Sequence, residues 1–237
     1  PDTDYNIEVV ESAQAGDAGT RNEANKGSLS VHTDFEYVTL NVRDFGAYGN
    51  GEHDDTLAIQ TAIMACPENA RVYVPAGTYK ITTLFLKSNL VLDLAKDAVL
   101  SAFTERERFG ILPGMIQSYD EKDEYNLGTW EGNPLDCFTG IITGINVENV
   151  VITGEGTIDG CASFDNWWKD AKIRKIAWRP RLVFISHCKN VLLHGVTVTN
   201  SPSWTLHPYF TDNIRFVDLK VINPANSHNT DGLDPES

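Results

Sequence analysis

The chain has 237 residues, of which 41% are hydrophobic, and a formal net charge of −14. This length can bury one sizeable core, and the composition is typical of a globular protein rather than a disordered one. The acidic balance argues against nucleic acid or an anionic membrane as a partner, and no apolar run approaches the roughly 20 residues of a membrane-spanning helix.

Residues 1–39 are acidic and rich in turn-forming residues. The stretches "YNIEVV" and "LSVHT" alternate in polarity and predict short strands, whereas residues 12–28 between them have almost nothing to bury. We interpret residues 1–39 as the tail of a small β-sandwich module, of the fibronectin type III kind, followed by a linker. An extended N-terminal arm explains the same pattern equally well, and in both cases the main domain is expected at residues 40–237.

The segment "GNGEHDDTLAIQTAIMAC" predicts a glycine-rich turn followed by a helix from about residue 55 to 66. Apolar residues recur at helical spacing, at Ala58, Ile59, Ala62 and Ile63. Asp54 or Asp55 stands where a carboxylate caps a helix, which favours capping over catalysis for this pair.

An asparagine-headed repeat dominates the second half of the chain. It begins at Asn149, Asn190 and Asn213, with a weaker copy at Asn89, and apolar residues follow one and three places after each asparagine. Short strands with a period of roughly 20 to 25 residues and no intervening helices indicate stacked coils. We therefore predict an all-β fold, a right-handed parallel β-helix with an N-terminal capping helix, in which the asparagines form a ladder at a turn. A β-sandwich is the alternative.

The four cysteines lack the spacing of a zinc site or a redox motif. They are Cys66, Cys137, Cys161 and Cys188. The sequence leaves open whether all four are buried thiols or two of them form one disulfide.

Two segments are candidates for ligand binding. Residues 169–181 hold six basic residues and one acid, directly after Trp167 and Trp168, which suits an anionic polysaccharide bound through cations and indole faces. The alternative is a solvated loop with a structural Trp pair. "NSPSWTLHP" is the second candidate, although core packing also explains Trp204 and His207.

Several segments in chain order carry a resemblance to a known family. They are "DFGAYGNGEHDDTLAIQTAI" with "VYVPAGTYKI", "GTIDG" followed by "WW", "RPRLVFISHCKNVLLHGVTVTNSPSWTLHP", and "NTDGLDPES". Together they resemble glycoside hydrolase family 28, the polygalacturonases, from about residue 40 to the end. The segments "WTLHP" and "NTDGLDP" resemble the exo-acting bacterial branch more than the fungal endo-acting enzymes.

The resemblance implies inverting hydrolysis of α-1,4-galacturonosidic linkages in pectin by a secreted or periplasmic enzyme that uses no metal or cofactor. The expected partner is polygalacturonate, a pectic polysaccharide. Asp231, the aspartate of "NTD", is implied as catalytic because it helps to hold and activate the water. The implied substrate-binding residues are Asn229, Asp234, His207, Trp204 and Arg179.

The sequence also departs from the family pattern, because the "GDD", "GHG" and "RIK" motifs that follow "NTD" in this family do not occur. We therefore expect a truncated β-helix whose remainder lies C-terminal to Ser237, and a chain that lacks the general acid and is inactive alone. A non-catalytic carbohydrate-binding β-helix and a Ca²⁺-dependent pectate lyase are the alternatives. We further expect Asn229 and Thr230 to lie in a turn, so that Asp231 points outward beside Asp234.

Overall fold

The computed structural model describes residues 3–10, 26–33, 38–117 and 124–236, and the chain divides into two units, Pro1–Val38 and Thr39–Ser237. In the first unit, the strands Asp4–Val10 and Lys26–His32 pair antiparallel. One face of this hairpin carries apolar pairs such as Tyr5 with Val31. The turn-rich residues 11–25 lie outside the described part, and the β-sandwich module stays a prediction.

The second unit is a parallel β-helix, as the sequence predicted, and the structure builds it from three sheets. The first sheet contains Thr39–Asn41, Arg71–Val74, Leu90–Leu94, Glu148–Gly154, Lys189–His194 and Asp212–Val217. The second sheet contains Asn50–Asp54, Gly77–Ile81, Ala98–Ala102, Thr157–Asp159, Thr197–Thr199 and Lys220–Ile222. The third sheet contains Leu84–Phe85, Ile142–Ile145, Val183–Ser186 and Leu206–Tyr209. All pairings within the three sheets are parallel.

Stacking of like residues between coils builds the core. In the first sheet Leu92 pairs with Val72 on one side and with Ile152 on the other, and Ile152 pairs in turn with Leu193. All four side chains are fully buried. Each such side chain contributes roughly 1.5–3 kcal/mol when it leaves water. The period-two pattern of the strands therefore becomes continuous apolar rows along the β-helix axis.

The predicted asparagine ladder is present. Asn213 donates to Asn190 at 2.7 Å, Asn190 to Asn149 at 3.0 Å, and Asn149 to Asn89 at 2.9 Å, all through side-chain amides. Each of these residues has a φ between 52° and 57°. This left-handed conformation is one that asparagine tolerates better than most residues. The repeat is thus explained by both a backbone bend and a hydrogen-bonded column.

The helix Thr56–Ala65 packs its apolar face at the first coil and buries Ile59, Ala62 and Ile63. The side-chain amide of Gln60 pairs with both the N–H and the C=O of Phe85, at 2.7 and 2.9 Å. The helix therefore covers the exposed edge of the third sheet, which would otherwise leave ladder groups unpaired.

The capping prediction was only partly right. Asp55 occupies the N-cap position but makes no capping hydrogen bond, and its carboxylate accepts instead from the N–H groups of Tyr48 and Gly49. Asp54 accepts from the N–H and the hydroxyl of Thr56. The buried Asp55 thus fixes the preceding glycine turn, because that turn offers two free N–H groups.

Short elements lie outside the three sheets. They are the 3-10 helices Val42–Phe45 and Arg106–Arg108 and the antiparallel pairs Ile111–Leu112 with Cys137–Phe138, Ile116–Gln117 with Glu124–Tyr125, and Thr129–Trp130 with Asn133–Pro134. Most of the paired elements belong to a long insertion before the third sheet's strand Ile142–Ile145. No helix of the described residues is long and apolar enough to cross a membrane.

All four cysteines are free thiols, so no disulfide forms. Cys66, Cys137 and Cys188 are buried, and Cys161 is half-buried. Burial raises the pKa of the Cys137 thiol, which disfavours the reactive thiolate.

Candidate active site

The third sheet continues beyond Leu206–Tyr209 into the segment that holds the predicted catalytic residue. Leu206 bridges to Leu233 and Tyr209 to Glu236, both in parallel register. The N–H of Thr205 donates to the carbonyl of Asp231 at 2.9 Å. Residues 231–236 therefore form one more rung of the sheet, with three carboxylates in six residues.

The backbone bends before Asp231 as expected. Asn229 has a φ of +55°, and no strand includes Asn229 or Thr230. The Asp231 side chain is exposed, and its charge acts on Asp234.

Asp234 lies in a less polar environment than Asp231. It is half-buried, and its Oδ2 atom has no hydrogen-bond partner among the described residues. Burial, followed by the negative charge of Asp231, raises the pKa of Asp234 to about 6. The segment thus places a carboxyl that holds a proton in mildly acidic solution beside an exposed carboxylate.

A buried relay joins Arg181, His207 and Glu236. The Nε–H of Arg181 donates to His207 Nδ1 at 3.2 Å, and His207 Nε2 lies 3.0 Å from Glu236 Oε2. Because guanidinium nitrogens only donate, Nδ1 must accept, so the proton of the neutral ring is on Nε2 and points at Glu236. Burial lowers the pKa of His207, while the hydrogen bond from His207 lowers the pKa of Glu236.

Arg181 is held by the surrounding insertion. Its Nη2 donates to the carbonyl of Thr129 at 2.6 Å, and its guanidinium lies 4.6 Å from the Trp130 ring centre and 4.7 Å from that of Trp204. The hydroxyl of Thr129 donates to the Glu236 carboxylate at 3.2 Å. The insertion before the strand Ile142–Ile145 therefore holds both Arg181 and Glu236 through Thr129.

Arg179 is placed differently from the prediction. It is only 3% exposed, and its Nη atoms donate to the carbonyls of Pro202 and His228 and to Asn229 Oδ1, at 2.7, 2.8 and 2.6 Å. Burial and the neighbouring Arg181 lower the pKa of Arg179 to about 10. With these donors occupied, Arg179 clamps the Asn229 turn rather than offering its fork to a substrate carboxylate.

His207 is likewise unavailable for the predicted direct contact, because its side chain is fully buried and both ring nitrogens are engaged. Trp204 is half-buried and packs edge-on against His207, with ring centres 4.9 Å apart. Of the predicted binding residues, Asn229 is exposed, and Asp234 and Trp204 are partly accessible.

Of the two interpretations of Trp167 and Trp168, the structure confirms the structural pair, and the hypothesis that their faces bind sugars was wrong. Trp167 is fully buried between Phe109 and Phe138, and Trp168 is 3% exposed and donates to the carbonyl of Ser201. The insertion folds back on the coil, so these rings fill the core. The cations between residues 169 and 175 remain exposed, whereas Arg179 and Arg181 are buried.

A metal site is not evident in the described part of the chain, which contains no group of three or more His, Cys, Asp or Glu side chains placed to hold an ion. Asp231, Asp234 and Glu236 are close in sequence, but Glu236 is turned toward His207 and Thr129.

Comparison with known proteins decides the family. Residues 119–237, half of the chain, match the family model described as glycosyl hydrolases family 28. The chain belongs to glycosyl hydrolase family 28. Residues 39–93 of this family 28 chain also match the model described as rhamnogalacturonase A/epimerase, pectate lyase-like.

Individual relatives agree with this assignment. The chain is 30% identical over 230 residues to a "Probable polygalacturonase" of Vitis vinifera. This alignment covers 92% of the chain and 45% of the relative. It is 32% identical over 179 residues to the "Exo-poly-alpha-D-galacturonosidase" of Dickeya chrysanthemi, covering 72% and 26%. The Yersinia enterocolitica family 28 exopolygalacturonase structure superposes with a TM-score of 0.70 at 22% identity, covering 99% and 46%. The chain thus spans less than half the length of these relatives.

The sequence did not single out two residues that organise this family 28 site, Glu236 and Thr129. They lie 107 positions apart and meet only when the insertion folds over the third sheet. Arg181 had been noted only as one of six cations. Its position two residues before the buried strand Val183–Ser186 was the one available signal.

Proposed function

We propose that the protein carrying this chain hydrolyses α-1,4-galacturonosidic linkages of pectin with inversion, and that Asp231 activates the attacking water. The observation that carries the proposal is the pair formed by exposed Asp231 and half-buried Asp234, whose pKa is raised to about 6. Neighbouring carboxyls in unlike environments can divide the tasks of base and proton carrier.

Asp231 is suited to act on water because its backbone is fixed while its side chain is free. Its carbonyl accepts from Thr205, and no hydrogen bond of the described residues occupies its carboxylate. Asp234 keeps its proton below about pH 6 and can donate a hydrogen bond to the sugar. Inversion also needs an acid roughly 6.5–9.5 Å from the base. The proposal assigns no residue of this chain to that acid, and inactivity of the chain alone stays a prediction.

The remaining residues divide into those that contact the substrate and those that position others. Asn229, Asp234 and Trp204 are proposed to contact the polysaccharide, because each is at least partly accessible. Arg179 and His207 are proposed as positioning residues, because both Nη atoms of Arg179 and both ring nitrogens of His207 already have partners within the protein.

Exo action, secretion or periplasmic location, and a role in cell-wall degradation are parts of the same proposal. The name of the Dickeya chrysanthemi relative supports exo action on polygalacturonate. A non-catalytic β-helix that binds pectin and a Ca²⁺-dependent lyase remain the competing functions.

One digestion separates the three functions. Polygalacturonate is incubated with the protein in the presence and absence of a chelator, and reducing ends and ultraviolet absorbance are followed together. If the protein is a hydrolase, reducing ends form at the same rate in the presence and in the absence of the chelator, and the ultraviolet absorbance does not rise. A chelator-sensitive rise in absorbance would indicate the lyase, and tight binding without any cleavage would indicate the binding protein.

A further inference from the structure

A groove beside the Asn229 turn is not used by the proposed chemistry. It is formed where the insertion around Trp130 faces the segment that carries Lys172 and Trp178, and its volume is about 320 Å³. This size lies within the range of roughly 300–1,000 Å³ that small-molecule sites occupy. Both walls belong to excursions from the coils, so the groove is specific to the way these insertions fold.

The aromatic wall of the groove is rigid. Trp178 stacks on Trp130 with ring centres 4.7 Å apart and an angle of 17° between planes. Trp130 is 7% exposed and is held from below by the Arg181 guanidinium. Trp178 is only half-buried, so part of its indole remains for a ligand. An indole fixed in this way contacts a sugar ring with little loss of side-chain entropy.

The groove also offers a free cation. Lys172 is exposed and has no ion pair among the described residues, whereas nearby Lys175 pairs with Asp170 at 3.3 Å. Asn133 and Glu131 line the same wall. The Asn133 Nδ2 group donates to the carbonyls of Trp130 and Glu131, so the Asn133 Oδ1 atom and the Glu131 carboxylate are the acceptors offered to hydroxyl groups. One ammonium, an indole and hydroxyl-binding groups match a sugar that carries a carboxylate.

The groove and the depression beside the catalytic segment share Asn229 as a lining residue. The other walls of that depression include Thr230 and Asp231. A polysaccharide with one sugar in the groove therefore passes Asn229 before it reaches Asp231.

We propose that this groove binds one uronate residue of the polysaccharide, away from the bond that is cleaved, with Lys172 on its carboxylate and Trp178 on its ring. The inference rests on the proposed function, since it extends the same cleft. Contact with the sugar is thereby assigned to Lys172 and Trp178 and not to Trp167 and Trp168, whose indole rings are buried.

Equilibrium binding of galacturonate oligosaccharides tests the groove. Affinities for the free-acid and the fully methyl-esterified oligosaccharide are measured by calorimetry in an Asp231→Asn background. Lys172→Gln should weaken binding of the free acid about tenfold and leave binding of the ester unchanged. Trp178→Ala should weaken both by a similar factor. Lys169→Gln, which changes another exposed lysine of the same segment, should change neither.

Equal losses for Lys172→Gln and Lys169→Gln, or no loss in either groove variant, would overturn the proposal. Near-ultraviolet circular dichroism checks that Trp178→Ala remains folded, and the Lys172 result stands independently of that variant. The experiment also separates the two proposals. Lys172-dependent binding without turnover by the wild-type protein supports the groove and refutes hydrolysis, whereas turnover without Lys172 dependence does the reverse.

Discussion

Replacing Asp234 by asparagine should change how stability depends on pH. Between about pH 4 and 6 the native state holds a proton on Asp234 that the unfolded state has released, because its pKa is raised from 3.8 to about 6. The free energy of unfolding of the wild-type protein therefore contains a part that falls as pH rises through this window. In Asp234→Asn that part is absent, since the amide does not titrate.

The size of the effect follows from the shift and from the exposure of the group. A difference of about two pKa units corresponds to roughly 3 kcal/mol at about 1.4 kcal/mol per unit. Asp234 is only half-buried, so solvent screening reduces the expected value to about 1 kcal/mol. The variant should gain about this much relative to wild type at pH 7, and the gain should vanish near pH 4.

Urea denaturation at several pH values between 4 and 8 measures this difference, and subtracting the two proteins cancels the other titrating groups. Asp231→Asn is the matched control. It removes the neighbouring charge that raises the pKa of Asp234 and should reduce the pH-dependent part without abolishing it. Parallel pH profiles for wild type and Asp234→Asn would refute the reasoning.

Three further expectations concern the scaffold. Asn149→Ala should lower the free energy of unfolding in urea by about 1–2 kcal/mol, because it removes two ladder hydrogen bonds and puts alanine at a φ of +57°; an unchanged midpoint would show that the ladder adds no stability. Gly154→Ala should lower the midpoint of thermal unfolding far more than Gly46→Ala does. The added methyl group would lie 2.0 Å from the Leu94 carbonyl oxygen at position 154, whereas it would meet nothing within 4 Å at position 46. Equal losses in the two variants would contradict a steric cause. Arg181→Met should lower the free energy of unfolding by about 3 kcal/mol, because the buried acceptors His207 Nδ1 and the Thr129 carbonyl lose their donor. It should also raise the pKa of His207 in an NMR titration, because burial and the positive charge of Arg181 lower that pKa in the wild-type protein and the variant removes the charge. An unchanged pKa of His207 would argue against the Arg181–His207 contact.

The repeat explains why so much of the fold was predictable. Each coil is one continuous stretch of sequence that begins at an asparagine, as at Asn149, Asn190 and Asn213. The turn and the inward-facing residues of a coil can therefore be predicted from that stretch alone. The helix was predictable for the same reason, because Ile59 and Ile63 show its buried face within ten residues. Short stretches of sequence therefore suffice to predict the coils and the capping helix.

The site was less predictable because insertions build it. The sequence shows Arg179 and Arg181 only as two cations of a basic segment, yet both are buried and donate to distant carbonyls, Arg179 to that of His228 and Arg181 to that of Thr129. The segment between Asp159 and Val183 buries Trp167 and leaves Trp178 half-buried, which alternation along a strand cannot indicate. Asp231 and the turn at Asn229 lie as the sequence predicted, because a local bend and one sheet rung fix them.

The rate of reducing-end release from polygalacturonate by Asp231→Asn tests the proposed function most directly. The measurement uses the protein that carries this chain, with circular dichroism and the urea midpoint to show that the variant is folded. If Asp231 activates the water, the rate should fall at least about 100-fold, with near-native stability because the side chain is exposed. A folded variant that retains wild-type turnover would contradict the catalytic role of Asp231.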